Sequence, residues 1–400
     1  MGEVLGFDEQ RLEQASAHFR TRYVERGALP NVQLLVAREG KVVHRSSAGA
    51  ARADGTPLAD DAIFRIASMT KPLTAVAFMA LVEEGRVALD DPVATVIPEF
   101  ADLRVFESGG GAVPWVTRAA PPMRMIDLLR HTSGLTYGFL NRSNVDAAYR
   151  AQRILAPGGD RDADAVVAAL AELPLEFAPG SAWNYSVSTD VLGIVVARLE
   201  GAPLDAVFRR RILAPLKMDD TFFHCPPDKV HRLTDAWMMT PAGVRVIDRA
   251  VDGRATREPV FKMGGGGLLS TIADYHRFCS MMLAGGTLDG ARVIGRKTID
   301  LMTRNHLPGG ADIAALARAP IADAGSGGTG FGLGVAVTID PARTMMPGSA
   351  GEYFWSGIYS TQFFIDPVER VHAILMTQQM PVPTIPVRRD FRTMVYAALM

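Results

Sequence analysis

Apolar positions change their period twice in the first hundred residues. Between residues 8 and 26, Leu12, Ala15, Phe19 and Tyr23 recur at spacings of three and four, the stripe of an amphipathic helix. Val32–Arg38 and Val42–Ser47 then flank Glu39-Gly40-Lys41, which predicts an antiparallel hairpin. Ile63–Ala67 is a short apolar run ending at Ser68. From there to Glu84 the pattern is helical, with Gly85 where a C-cap belongs.

The middle of the chain reads differently. Met125–His131, Ala163–Ala171, Val187–Leu199 and Leu204–Leu213 predict helices separated by Gly- and Pro-rich connections. Ser108–Pro122 and Gly309–Gly330 are polar, glycine-rich stretches, read as two long loops. Strand signals return near the end, over Phe331–Ile339, Tyr353–Ile358, Tyr359–Ile365 and Val371–Thr377. Asp366-Pro367 marks a turn between the last two, and Val387–Leu399 closes as a helix. Strands at both ends and helices between them predict an α+β fold with one antiparallel sheet, assembled from both termini and flanked by helices. Residues 1–75 and 330–400 are assigned to that sheet domain, and 76–329 to a mainly helical inserted domain. The absence of strand–helix–strand alternation argues against a doubly wound or barrel fold.

Composition narrows the class. In 400 residues, 48% are hydrophobic, and 42 basic residues against 43 acidic leave a formal charge of -1. That balance carries no electrostatic footprint for nucleic acid or an anionic membrane, and neither is expected as a partner. No apolar stretch approaches the roughly 20 residues needed to span a bilayer. The N-terminus lacks a basic segment followed by an apolar one, so no secretory signal is expected; with Met1 as the native start, the expected location is cytoplasmic. Cys225 and Cys279 have no spacing that suggests a disulfide framework or a zinc site, and read as buried thiols. His224, Cys225 and His231 lack a fourth ligand, and Gly330-Phe-Gly-Leu-Gly334 runs into a strand rather than a helix. No metal and no cofactor are expected.

Three short elements carry candidate chemistry. No serine has glycine at both minus two and plus two, which excludes the nucleophile elbow of α/β-hydrolases. Ser68-Met69-Thr70-Lys71 is an S-x-x-K at a strand-to-helix junction. The pattern alone arises by chance in roughly a quarter of chains of this composition, so its context has to carry it. One helical turn places Ser68 and Lys71 on one face, and Pro72 is tolerable because it falls in that first turn. The positive end of the helix favours an alkoxide on Ser68 and opposes an ammonium on Lys71. Trp183-Asn184-Tyr185-Ser186-Val187 opens a helix after the Pro179-Gly180 turn, and a phenol there could relay a serine proton. Gly351–Tyr359 has small residues after Trp355, so that the Ile358 amide, with that of Ser68, could form a two-donor oxyanion hole. Taken singly, these have plainer readings: a helix cap with a solvated lysine, a packed aromatic, and an edge strand.

Together, in order and spacing, the three elements resemble the serine β-lactamase/penicillin-binding-protein superfamily, specifically class C β-lactamases and their esterase relatives, the family VIII carboxylesterases. Asp127–Leu135, Phe177–Tyr185, Gly264–Thr271 and Asp274–Phe278 extend the resemblance over nearly the whole chain. It implies an active site between a sheet domain and a helical insert, with Ser68 as nucleophile, Lys71 as its partner base and Tyr185 as the third catalytic group. The chain departs from the lactamase pattern at two substrate-binding positions. Val187 stands where lactamases carry Asn, and Trp355, in Trp355-Ser356-Gly357, where they carry a cation. Both departures resemble the esterase branch. The expectation is a serine carboxylesterase acting on small esters of short acyl chain through an acyl-serine intermediate. The alternatives are a β-lactamase or D-amino-acid peptidase, an acyltransferase, and a non-catalytic sensor on the same fold.

Overall fold

The computed structural model describes residues 2–156, 158–240, 243–318, 327–380 and 386–400. Its centre is a seven-stranded antiparallel sheet. In spatial order the strands are Thr329–Phe331, Ala336–Thr338, Tyr353–Ser356, Gln362–Asp366, Val371–Met376, Asn31–Arg38 and Lys41–Gly49. The two chain ends meet where Val371–Met376 pairs with Asn31–Arg38, Ile374 opposite Leu35. These central strands are buried along almost their whole length, which is why they read as near-continuous apolar runs; helices cover both faces. The hairpin at Glu39-Gly40 forms as the sequence predicts, with both residues at positive φ, the conformation that a two-residue connection needs to match the strand twist.

The terminal helices Glu9–His18 and Val387–Ala397 cover one face. Phe391 meets Phe19 and Phe364 at 6.1 and 6.0 Å, and the Tyr23 hydroxyl donates to Asp390 at 2.6 Å. A buried ion pair, Arg392 with Glu352 at 2.9 Å, fastens the last helix to the sheet. Helix Ile272–Leu283 lies on the sheet as well, with Tyr275 against Phe363 at 5.2 Å and His276 against His372. It falls inside the 76–329 span assigned to the helical insert, yet packs as part of the sheet layer. The helix Lys71–Glu83 is apolar on all sides and buried from Lys71 to Leu81, so it runs through the core rather than along its surface.

Three expectations need correction. Ser108–Pro122 is not a loop: Arg104–Gly110 and Val113–Ala119 form an antiparallel hairpin, largely exposed on both faces and therefore without the alternation that announces a strand. Phe331–Ile339 is not one strand but two short ones, folded back on each other around Gly332–Gly334. A second hairpin, Ala236–Thr240 with Gly243–Asp248, lies in the middle of the chain, where only helices were expected. Of Gly309–Gly330, residues 319–326 lie outside the described residues; before them a short helix, Ile313–Leu316, interrupts the stretch.

His276 Nδ1 and His372 Nε2 are 2.8 Å apart on the helix-covered face, so one ring's N–H donates to the other ring's lone pair. Burial pushes His276 down to about 4, helped by Arg277 and Arg45, and His372 down to about 3, helped by His276. Both imidazoles thus resist protonation in the folded state, whereas unfolded histidine takes a proton near pH 6.5. Their contribution to stability is complete above that value and is lost as pH falls from there through about 4. In urea titrations from pH 7 to 5, His276→Gln is expected to lose less stability than the parent protein; equal losses would refute this linkage.

Candidate active site

Strand Phe64–Arg65 leads into a tight turn, Ala67–Thr70, that opens the Lys71–Glu83 helix. Ala67 has φ 44°, a left-handed backbone that an L-residue adopts only when its surroundings hold it. The turn leaves Ser68 half-buried between buried neighbours Ala67 and Met69. The Tyr185 hydroxyl donates to Ser68 Oγ at 2.6 Å, and Lys71 Nζ donates to the same oxygen at 3.2 Å. Nζ also lies 4.6 Å from the Tyr185 ring centroid. Ser68, Lys71 and Tyr185, 117 residues apart at the extremes, are thus brought together.

Lys71 is fully buried, and a buried amino group needs hydrogen-bond partners. They come from residues that sequence reasoning passed over. Nζ donates to the Gly265 carbonyl at 2.6 Å and to the Tyr137 hydroxyl at 3.2 Å. Tyr137 donates in turn to Asp190 Oδ2 at 3.1 Å, while the Gly265 amide donates to Asp190 Oδ1 at 2.8 Å. Burial, reinforced by the charge of Asp190, holds Tyr137 well above the ordinary phenol range, so it stays a donor. Burial likewise raises the Asp190 carboxyl, against the opposing charge of Lys71. Gly265 can serve both partners because it has no side chain: a Cβ there would sit 2.5 Å from the Asp190 carboxylate. The hint in the sequence was the Gly264–Thr271 segment, read only as support for the resemblance.

Strand Tyr353–Ser356 ends beside the nucleophile turn. Trp355 is buried, its ring 5.4 Å from that of Tyr185 and 5.3 Å from that of Phe331. Ser356 pairs with Gln362 in the sheet, and Ile358 is partly exposed in the turn that follows. Val187, 1% exposed, belongs to the hydrophobic core at the start of helix Ser188–Glu200. Arg388, unanticipated from sequence, donates to the Gly357 carbonyl and brings a guanidinium behind this strand end.

Gly357 makes the close approach possible. A Cβ on it would lie 2.6 Å from the Ile66 carbonyl oxygen and 2.3 Å from Thr361 Oγ1. Gly357→Ala is therefore expected to shift the strand end away from Ile66 and Thr361, and with it the Ile358 amide, the oxyanion donor expected from the sequence. Loss of one oxyanion donor costs on the order of 100- to 1,000-fold in turnover, and kcat for an activated ester is the measurement. A loss below tenfold would show that the strand end has room to shift without consequence.

Among the described residues, no group of three or more His, Cys, Asp or Glu is placed to hold a metal, and no helix is long and apolar enough to cross a membrane. Cys225 and Cys279 are buried free thiols.

Comparison with known proteins agrees with this architecture. The family described as Beta-lactamase matches residues 16–397. Protein Rv1367c of Mycobacterium tuberculosis is 36% identical over 359 residues, 89% of this chain and 87% of that protein. Esterase EstB of Burkholderia gladioli is 32% identical over 361 residues, 86% of this chain and 84% of EstB. The solved structure of EstCE1, described as a hydrolase with promiscuous acyltransferase activity, superposes with a TM-score of 0.80, covering 97% of this chain and 99% of its own at 24% identity, and so shares the fold. The chain belongs to the β-lactamase family.

Proposed function

We propose that the protein is a serine carboxylesterase that hydrolyses small esters through an acyl-enzyme. The observation that carries this reading is the convergence of Tyr185 and Lys71 on one oxygen of a half-buried serine, Ser68 Oγ, at 2.6 and 3.2 Å. Tyr185 and Lys71 act on the serine proton as one coupled unit. As Ser68 Oγ bonds to the ester carbonyl carbon, its proton passes to that unit. The developing oxyanion is held by the backbone amides of Ser68 and Ile358. Collapse breaks the bond to the alcohol oxygen, which leaves with the proton. Water then attacks the acyl-serine by the reverse route, freeing the acid and restoring Ser68.

The relatives support ester chemistry: EstB, at 32% identity, is an esterase by name. The rings of Tyr185, Trp355 and Phe331 pack in series, so the phenol that meets Ser68 Oγ is backed by apolar surface of the kind that suits a small acyl group. A hydrolysis screen with aryl esters of increasing acyl length tests this reading. Rates falling steeply beyond a few carbons are expected, and absence of ester turnover would overturn it. Product partitioning in the presence of an added alcohol separates hydrolysis from acyl transfer.

A further inference from the structure

His131 is not on the proton path between Ser68, Lys71 and Tyr185, yet it touches the tyrosine's segment at three consecutive residues. Its carbonyl oxygen accepts the Asn184 amide at 3.0 Å. Its ring centroid lies 4.9 Å from that of Tyr185. Its Nδ1 pairs with Ser186 Oγ at 3.2 Å. The residues before, at and after the phenol are therefore all held by one side chain and its own backbone. Ser186 continues the chain of contacts to Ser188 at 2.6 Å, and Ser188 to Ser133 at 2.7 Å, so the grip returns to the segment that carries His131.

Two further features set His131 apart. Its φ of 58° is left-handed, a strained backbone for a residue with a side chain, of the kind kept where surroundings over-determine it. Its ring is 1% exposed, wedged also against Trp183 and Phe331 at 6.1 and 5.4 Å. Burial, with the charge of Lys71, keeps it well below the ordinary histidine range and hence neutral at working pH.

We propose that His131 is the positioning residue of Tyr185, fixing the phenol at hydrogen-bond distance from Ser68 Oγ. This rests on the reading of Tyr185 as a partner in the serine proton transfer. Its effect falls on turnover, because a misplacement of about 1 Å at a reacting group costs on the order of 100-fold.

A double-mutant cycle tests it, with an activated aryl ester so that residual turnover stays measurable. His131→Asn keeps a residue tolerant of left-handed backbone while removing the ring. It is expected to lower kcat about 10- to 100-fold with KM within about twofold. In a Tyr185→Phe background the same change is expected to have no further effect, because its only route is already gone. Ser186→Ala removes the anchor from the other side and is expected to show a smaller loss with the same non-additivity; it carries the test if His131→Asn fails to fold. Unchanged kcat in both single variants, or losses that multiply in the double variants, would overturn the proposal alone. Full activity in Tyr185→Phe would overturn the reading of Tyr185 and this proposal with it.

Discussion

Ser68→Ala is expected to fold and melt like the parent protein while ester turnover falls by about a million-fold, the scale seen when a serine hydrolase loses its nucleophile. Structural loss is small because Lys71 keeps its bonds to Gly265 and Tyr137, and Tyr185 keeps its packing against Trp355 and His131. Chemical loss is near total because methyl cannot form the acyl-enzyme, and no other described hydroxyl meets both Lys71 and Tyr185 as Ser68 does. A phosphonate probe is expected to label the peptide containing Ser68 in the parent protein and nothing in the variant. Labelling of another serine, or surviving turnover, would refute the assignment of the nucleophile.

Lys71→Arg is the second large loss, although the charge is retained. Arginine is not deprotonated in proteins, so it cannot accept the serine proton. Its planar fork must also fit a fully buried space in which Nζ meets Ser68, Tyr137 and Gly265. Loss of general-base assistance costs up to about 10,000-fold, and kcat on a short-chain aryl ester, with circular dichroism as the folding control, is the measurement. Near-normal turnover would make Lys71 an electrostatic anchor and move the base elsewhere.

The sequence made one part of this site legible and hid another. Ser68 and Lys71 lie within one helical turn, so local spacing places them together. Tyr185 lies between the Pro179-Gly180 turn and the helix Ser188–Glu200, a placement readable without tertiary information. Tyr137, Asp190 and Gly265 carry no local sign of their joint role, because only folding brings the three around Lys71 Nζ. The same division runs through the fold. Strands covered on both faces, such as Val371–Met376, are near-continuous apolar runs, and that pattern marks them as strands in the sequence itself. The hairpin within Arg104–Ala119 exposes most of its residues, so burial never patterned it, and its glycines read as loop. Gly332 and Gly334 let the chain double back inside what looked like one strand.

The separation of an esterase from a β-lactamase rests on two positions. Val187 is buried in the core and offers no side-chain hydrogen bond, and Trp355 supplies packing rather than a cation. A polar group left without its partner costs about 1–3 kcal/mol, and two such losses together amount to orders of magnitude in productive binding. The decisive measurement is kcat/KM for a short-chain aryl ester against a chromogenic cephalosporin, on one preparation of the intact protein. The ester is expected to be turned over at least about a hundredfold more efficiently; comparable values, or a preference for the lactam, would contradict the account.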